Sequence, residues 1–222
     1  MDGREMKSGV IFDMDGVLVD NRDIHIEAFL IYFKRVGLKA TYEQLLGIFG
    51  KVNTQIFEDL FGVGTFTPEQ IERMGAEKER IYRELFAEKV APTPGLITFL
   101  NALKKSGVKI AVGSSGPREN VDFVLEACGI TGYFDAIVDG SMVTRGKPDP
   151  EVFLKAAALL GKTPGECIVF EDALVGIEAG KRAGMTVIAL ETTFTKAQLA
   201  GSGYDRLIRN FTEVDASVLQ EF

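Results

Sequence analysis

Val10-Ile11-Phe12-Asp13-Met14-Asp15-Gly16-Val17-Leu18 joins a short β-branched and aromatic run to an acidic turn closed by glycine. A run of this kind, ended by Asp and Gly, is the pattern of a buried strand. Comparable runs recur at Val108 to Val112, Ala136 to Val138, Cys167 to Phe170 and Thr186 to Leu190. Helical periodicity fills the intervals, over Leu96 to Lys105, Glu119 to Cys128, Glu151 to Leu160 and Ala173 to Ala183. Gly107, Gly129, Gly161 and Gly184 follow these patterns, where a left-handed residue commonly ends a helix. Pro94, Pro117 and Pro150 stand near helix starts, where a missing N–H costs little. Continuously apolar strands alternating with amphipathic helices predict an α/β architecture, a Rossmann-like, doubly wound parallel sheet covered on both faces.

The rhythm breaks between about Asn21 and Val90. Apolar residues there recur at helical spacing, as in Ile24, Ala28, Ile31 and Phe33, then through Leu45 to Phe49, Ile56 to Leu60 and Ile71 to Phe86. The expectation is an all-helical cap domain of residues 21–90, inserted into a catalytic core made of 1–20 and 91–222. Asp20-Asn21 and the stiff Ala91-Pro92-Thr93-Pro94 form the junctions.

With 222 residues the chain can bury a substantial core. A net charge of −7 and a pI of about 4.9 argue against a nucleic-acid groove. No apolar run approaches the roughly 20 residues of a membrane span, and the polar stretch Met1 to Gly9 lacks a signal pattern. Cys128 and Cys167 lie in apolar surroundings and read as reduced core residues, which fits the cytoplasm. His25 is the single histidine, which excludes a His-rich metal site, and no nucleophile-elbow pattern supports serine or cysteine catalysis through it. For assembly the expectation is a monomer or weak dimer.

In a parallel sheet the functional crevice lies beyond the carboxyl ends of the strands. Asp13 and Asp15 follow the first run, Ser114 and Ser115 the second, a loop to Lys147 the third, and Glu171 and Asp172 the fourth. Each has an ordinary reading taken singly: a turn, a helix N-cap, a solvated lysine, or acids favouring a helix's positive end. Their occurrence together at successive strand ends points to one site. Bunched carboxylates repel unless a cation is present. Mg²⁺ takes one or two carboxylates, waters and a substrate phosphate oxygen, and this edge offers that set. A carboxylate can attack phosphorus to give an aspartyl phosphate, and a second acid two residues on can protonate the leaving oxygen and then activate water. Ser114 and nearby amides would donate to the phosphoryl oxygens, while Lys147 offsets their charge.

The wording and order of these segments resemble the haloacid dehalogenase superfamily. Val10 to Leu18 is similar to its first motif, Val112-Gly113-Ser114-Ser115 to its second and Gly146-Lys147-Pro148-Asp149-Pro150 to its third. Val169-Phe170-Glu171-Asp172 with Gly176-Ile177-Glu178-Ala179-Gly180 resembles the fourth. Within it the chain looks like the β-phosphoglucomutase-like group, whose helical cap follows the first motif. The resemblance implies Asp13 as nucleophile and Asp15 as general acid/base. It implies Mg²⁺ on Asp13, the Asp15 carbonyl oxygen and Asp172, with Glu171 a ligand or a ligand's partner. Ser114 and Lys147 would bind the transferring phosphoryl group, with Ser115 beside them; Arg118, just after, has two readings, a further hold on phosphate or simply the start of a helix. His25 matches a hinge histidine of this group, and Lys51 with Asn53 falls on the cap loop that meets substrate. The mutases carry a phosphate-binding arginine where Asn53 stands, and a small hydroxyl residue is common where Asn21 stands. Lys51 cannot reproduce a bidentate guanidinium clamp.

The leading expectation is therefore a Mg²⁺-dependent phosphatase of a small phosphorylated metabolite such as a sugar phosphate. A sugar-phosphate mutase is the nearest alternative. A phosphoacceptor signalling module shares the acids, the Mg²⁺ and the lysine, but its acceptor follows a central strand, whereas this acidic pair follows the first. No G-x-G-x-x-G supports a dinucleotide enzyme and no G-x-x-x-x-G-K-[ST] a nucleotide loop.

Overall fold

The structure, a computed structural model, describes residues 6–222; of the polar leading stretch, residues 1–5 lie outside the described residues. Six strands form one sheet: β1 (Gly9–Phe12), β2 (Lys109–Gly113), β3 (Ala136–Val138), β4 (Cys167–Glu171), β5 (Thr186–Leu190) and β6 (Arg206–Ile208). Their order is β3-β2-β1-β4-β5-β6 and every pairing is parallel. The strand at Arg206–Ile208 was not expected, because three residues carry too little periodicity; pairing with β5 creates it.

Side chains alternate across the sheet. Val10 and Phe12 join one buried cluster with Leu96, Phe99, Leu100, Val121, Val124 and Leu125, from α5 (Leu96–Ser106) and α6 (Arg118–Ala127). Ile11 joins the opposite cluster, with Val152, Phe153, Ala156, Ile177 and Ala179 from α7 (Glu151–Leu159) and α8 (Leu174–Arg182). Phe12 stacks on Phe170 of the neighbouring strand, centroids 5.0 Å apart. Such a pair adds about 0.5–1.5 kcal/mol beyond its area burial. The expected Gly107, Gly129, Gly161 and Gly184 all have positive φ.

Between β1 and α5 the chain forms four helices, α1 (Arg22–Val36), α2 (Tyr42–Gly47), α3 (Asn53–Phe61) and α4 (Pro68–Phe86). Thr67 starts α4 with a reciprocal cap to Gln70, and Pro68 takes its first turn. The buried face of α1 is His25, Ile26, Ala28, Phe29, Tyr32 and Phe33; of the expected stripe Ala28 and Phe33 are buried, while Ile24 and Ile31 are only partly so. The helix is apolar on two sides, so periodicity alone cannot choose; Phe29 and Phe33 pack on Phe57 of α3 and fix the rotation. The insertion leaves and returns at one place. Val19 bridges Pro92, and Thr93 donates through its backbone N–H to the Leu18 carbonyl (2.9 Å) and through its hydroxyl to the Val17 carbonyl (2.7 Å). Among the described residues no helix is long and apolar enough to cross a membrane.

β1, first in the chain, lies third in the sheet. The acidic pair therefore does follow an interior strand, and strand position does not separate this chain from a phosphoacceptor module. The helical insertion beside the site still does.

Candidate active site

In this strand order the chain turns to opposite sides at β1 and β4, and the crevice of a doubly wound sheet opens where that reversal occurs. Asp13 is the first residue past β1, and Glu171 and Asp172 end β4 beside it. The third strand's loop brings in Lys147. Its ammonium, 1 % exposed, donates to Asp13 Oδ1 at 2.7 Å and to Glu171 Oε1 at 2.6 Å. Glu171 Oε2 accepts the backbone N–H groups of Asp172 and Ala173, both at 2.7 Å. Both Glu171 oxygens are thus engaged by the protein. Asp172 differs: its two oxygens are buried and neither has a hydrogen-bond partner among the described residues.

Ligand atoms of Asp13, Glu171 and Asp172 lie within 4.8 Å of one another. Burial, then the charges of Glu171 and Asp13, push the Asp172 carboxyl well above the usual carboxylate range. Burial likewise raises Asp13 to about 7, against the pull of Lys147 and with the push of Glu171 and Asp15. An orphaned carboxylate in an all-oxygen cluster suits a hard cation such as Mg²⁺. The residues present fit that ion.

Two glycines make room for these acids. Gly16 has φ +76°, and a Cβ there would stand 1.8 Å from Asp172 Oδ2; a Cβ on Gly176 would stand 1.7 Å from Glu171 Oε1. Gly16→Ala is expected to cost about 1–3 kcal/mol from backbone strain alone, and to displace Asp172. Urea denaturation and Mg²⁺ titration of the variant should show lower stability and weaker ion binding together.

Asp15 faces the helical insertion. Its Oδ1 accepts from Asn21 Nδ2 at 2.6 Å and lies 3.2 Å from His25 Nε2. Asn21 also bonds the Tyr82 hydroxyl (2.6 Å) and accepts the Gly16 N–H (3.2 Å). The His25 ring stacks on Tyr82 at 3.8 Å. Behind it Lys78 Nζ stands 3.3 Å from His25 Nδ1 and 2.6 Å from Glu79 Oε1. An ammonium only donates, so Nδ1 accepts and Nε2 carries the proton toward Asp15. Burial opposes ionisation of Asp15, yet His25, Asn21 and the Lys78 charge hold its pKa below the usual carboxylate range. Glu79 is shared further, accepting from Asn53 (3.0 Å) and from Asn120 of α6 (2.7 Å), whose Oδ1 accepts from Arg83 (2.7 Å).

The pocket over these groups is lined by Asp13, Asp15, His25, Lys51, Asn53, Glu79, Ser115 and Gly116, with Phe29, Phe49 and Ile56 among its apolar walls. The structure thus gathers most of the residues singled out in the sequence, and places others differently. Ser114 is fully buried, and its hydroxyl accepts the Gly116 N–H at 2.9 Å. Lys51 lines the pocket, but its charge is paired with Asp59 at 2.6 Å. Of the two readings of Arg118, the structure favours the helix start: it opens α6 on the exposed surface and bonds Asp122 one turn on (2.8 and 2.9 Å), away from the pocket lining. His25 is buried. Lys78, Glu79, Tyr82 and Asn120 went unnoticed in the sequence. A signal existed for the first two, since they sit among Ile71, Met74, Gly75, Tyr82 and Phe86 on the buried stripe of α4.

Comparison with known proteins agrees with this geometry. Residues 10–190 match the model of the family described as haloacid dehalogenase-like hydrolase. Protein SUPPRESSOR OF QUENCHING 1, chloroplastic, of Arabidopsis thaliana is 36% identical over 203 residues, 88% of this chain, although the chain spans only 19% of that protein. Validoxylamine A 7'-phosphate phosphatase of Streptomyces hygroscopicus subsp. limoneus is 33% identical over 205 residues, 92% of this chain and 94% of that one. The crystal structure of beta-phosphoglucomutase from Clostridium difficile superposes with a TM-score of 0.86 at 27% identity, covering 97% of this chain and 96% of the other. By motif order, sheet topology and family match alike, the chain belongs to the haloacid dehalogenase-like hydrolases.

Proposed function

We propose that the chain is a Mg²⁺-dependent phosphatase of a small phosphorylated metabolite, acting through an aspartyl phosphate on Asp13. The observation that carries this is the state of the Asp13 carboxylate. Lys147 holds Oδ1, while Oδ2, in a residue that lines the pocket, makes no hydrogen bond with any described residue. Oδ2 is the attacking oxygen. As its bond to phosphorus forms, the bond to the ester oxygen breaks, and that oxygen takes a proton from Asp15, which must first pick it up from solvent against the donors that hold its carboxyl ionised. Asp15, now ionised, takes a proton from water, which attacks the phosphorus and returns Asp13 as a carboxylate. The donors that hold Asp15 as an anion suit this second step. Ser115 and Gly116 border the phosphoryl position, and Lys147 spreads positive charge toward it.

Asp13, Asp172 and the Asp15 carbonyl oxygen would hold Mg²⁺, which supplies charge neutralisation at the phosphoryl oxygens. Glu171, with both oxygens engaged, is assigned to orienting Lys147. Residues 21–90 are assigned as the cap, which brings His25 and Asn21 to Asp15 and excludes bulk water on closure.

The printed activities of similar proteins divide between phosphatase and mutase. Asn53 favours the phosphatase, because its amide is committed to Glu79 and it offers no guanidinium for a second phosphate. A steady-state screen tests the choice: Mg²⁺-dependent phosphate release from phosphate monoesters is expected. Isomerisation of a hexose 1-phosphate that needs a bisphosphate activator would establish the mutase instead.

Raised carboxylate pKa values bind protons more tightly in the folded state, so without metal the stability they confer at low pH is lost as pH rises toward the Asp13 value of about 7. At pH 5 protons relieve the repulsion; at pH 8 only a cation does. At a hundredfold excess over its dissociation constant, Mg²⁺ should raise Tm at pH 8 by about 5–10 °C. The gain at pH 5, measured calorimetrically at the same concentration, should be smaller.

A further inference from the structure

Tyr82 does not line the pocket over Asp13, yet it touches both side chains that grip Asp15. It is fully buried on α4. Its ring stacks on His25, centroids 3.8 Å apart and planes 12° from parallel. Its hydroxyl accepts a hydrogen bond from Asn21 Nδ2 at 2.6 Å. Phe123 of α6 meets the same ring edge-on at 6.4 Å, and Phe86 backs it at 5.6 Å. Packing against the core and against its own helix fixes where the ring stands.

An asparagine amide offers two N–H donors and one acceptor oxygen in fixed directions. All three are committed here: one donor to Asp15 Oδ1 (2.6 Å), the other to Tyr82, and the oxygen to the Gly16 N–H (3.2 Å). Asn21 is 1 % exposed, so removing the Tyr82 hydroxyl leaves a buried N–H without a partner and frees the amide to tilt. Asp15 Oδ1 also lies 3.2 Å from His25 Nε2, the second contact that Tyr82 supports. No described residue donates to Asp15 Oδ2. A Cβ built on Gly116 would stand 3.6 Å from that oxygen, and Gly116 borders the phosphoryl position. Holding Oδ1 on the side of the insertion therefore presents Oδ2 to the reacting oxygens.

Resting on the phosphatase reading above, we propose that Tyr82 is a positioning residue for Asp15: through Asn21 and His25 it fixes which carboxyl oxygen faces the leaving group and the attacking water. No proton passes through Tyr82. Burial pushes its pKa well above the usual phenol range, and the neutral hydroxyl serves as an acceptor for Asn21.

The test uses Tyr82→Phe, which keeps the ring and its stack, and compares the fastest alkyl phosphate from the screen above with p-nitrophenyl phosphate. Nitrophenolate leaves without a proton, whereas an alkoxide needs one from Asp15. In a single turnover with enzyme in excess, Tyr82→Phe should slow cleavage of the alkyl ester by roughly tenfold, a fraction of the 10²–10⁴-fold that a positioned acid supplies. Nitrophenolate release in the first turnover should be unchanged, and only later turnovers, in which Asp15 activates water, should slow. Asn21→Ala, which cuts the same clamp from the other side, should reproduce this split between the esters. In that background Tyr82→Phe should add little, because the two side chains act as one unit. Equal slowing of both esters in the first turnover, or full additivity with Asn21→Ala, makes Tyr82 a packing residue and overturns the inference while the phosphatase reading stands. So does a Tyr82→Phe variant as fast as the unmodified chain. A chain that hydrolyses no alkyl phosphate with Mg²⁺ overturns the phosphatase reading, and the inference with it.

Discussion

Replacing Asp13 with asparagine is expected to lower turnover by roughly 10⁴-fold or more, the scale seen when a covalent nucleophile is removed, while the fold persists. An amide oxygen cannot form the aspartyl phosphate, and no neighbouring carboxylate can take over. Glu171 is occupied by Lys147 and two backbone amides, and Asp15 is directed toward His25 and Asn21. Folding survives because the lost charge is one the fold resists: burial raises Asp13 to about 7. Lys147 keeps its bond to Glu171. Phosphate release and a thermal melt on the same preparation check both halves, and measurable retained activity would contradict the assignment.

Lys147→Ala should damage both activity and stability. The ammonium is the cation that bridges Asp13 and Glu171, and it lies over the Phe153 ring at 4.8 Å. Burial alone would depress its pKa, but the two carboxylates hold it above the usual lysine value, so it stays charged. Without it, Asp13, Glu171 and Asp172 are left together in a buried site. Breaking a buried pair by removing one partner costs about 3–5 kcal/mol. Asp13 and Asp172 then escape by binding protons, so stability is retained at low pH and falls as pH rises through their raised pKa values. Urea denaturation should therefore show a larger loss at pH 8 than at pH 5. Phosphate release should fall by roughly 10²–10³-fold through lost charge stabilisation. An equal loss of stability at both pH values would show that packing, not charge, sets the cost.

Much of this was legible in the sequence because the relevant signals are local. Five of the strands are short apolar runs closed by glycine or acid, and parallel packing buries such runs on both faces. The catalytic edge followed from reading what comes after each strand, which is why Asp13, Lys147, Glu171 and Asp172 were found together. β6 was missed because Arg206–Ile208 is a strand only by virtue of β5. On α1 Ala28 and Phe33 were read rightly, but Ile24 and Ile31 satisfy the helical period as well as the buried Phe29 does. Arg118 drew attention by its place after Ser114 and Ser115, yet Asp122 one turn away was the partner that periodicity should have supplied. The deepest omission was Lys78 and Glu79. They look like surface charges one at a time, and only their positions on the apolar stripe of α4 mark them as buried. Their partners, His25 and Asn120, lie far away in sequence, and no local pattern joins them.

The account turns on phosphorus reaching Asp13. Rapid acid quench of the enzyme during turnover of a phosphate monoester, followed by peptide mapping, measures this directly. A phosphoryl group localised to Asp13, formed and lost at rates consistent with turnover, is the expected result. Phosphoryl found on Asp15 or Asp172, or steady phosphate release with no labelled Asp13 at any time, would contradict it.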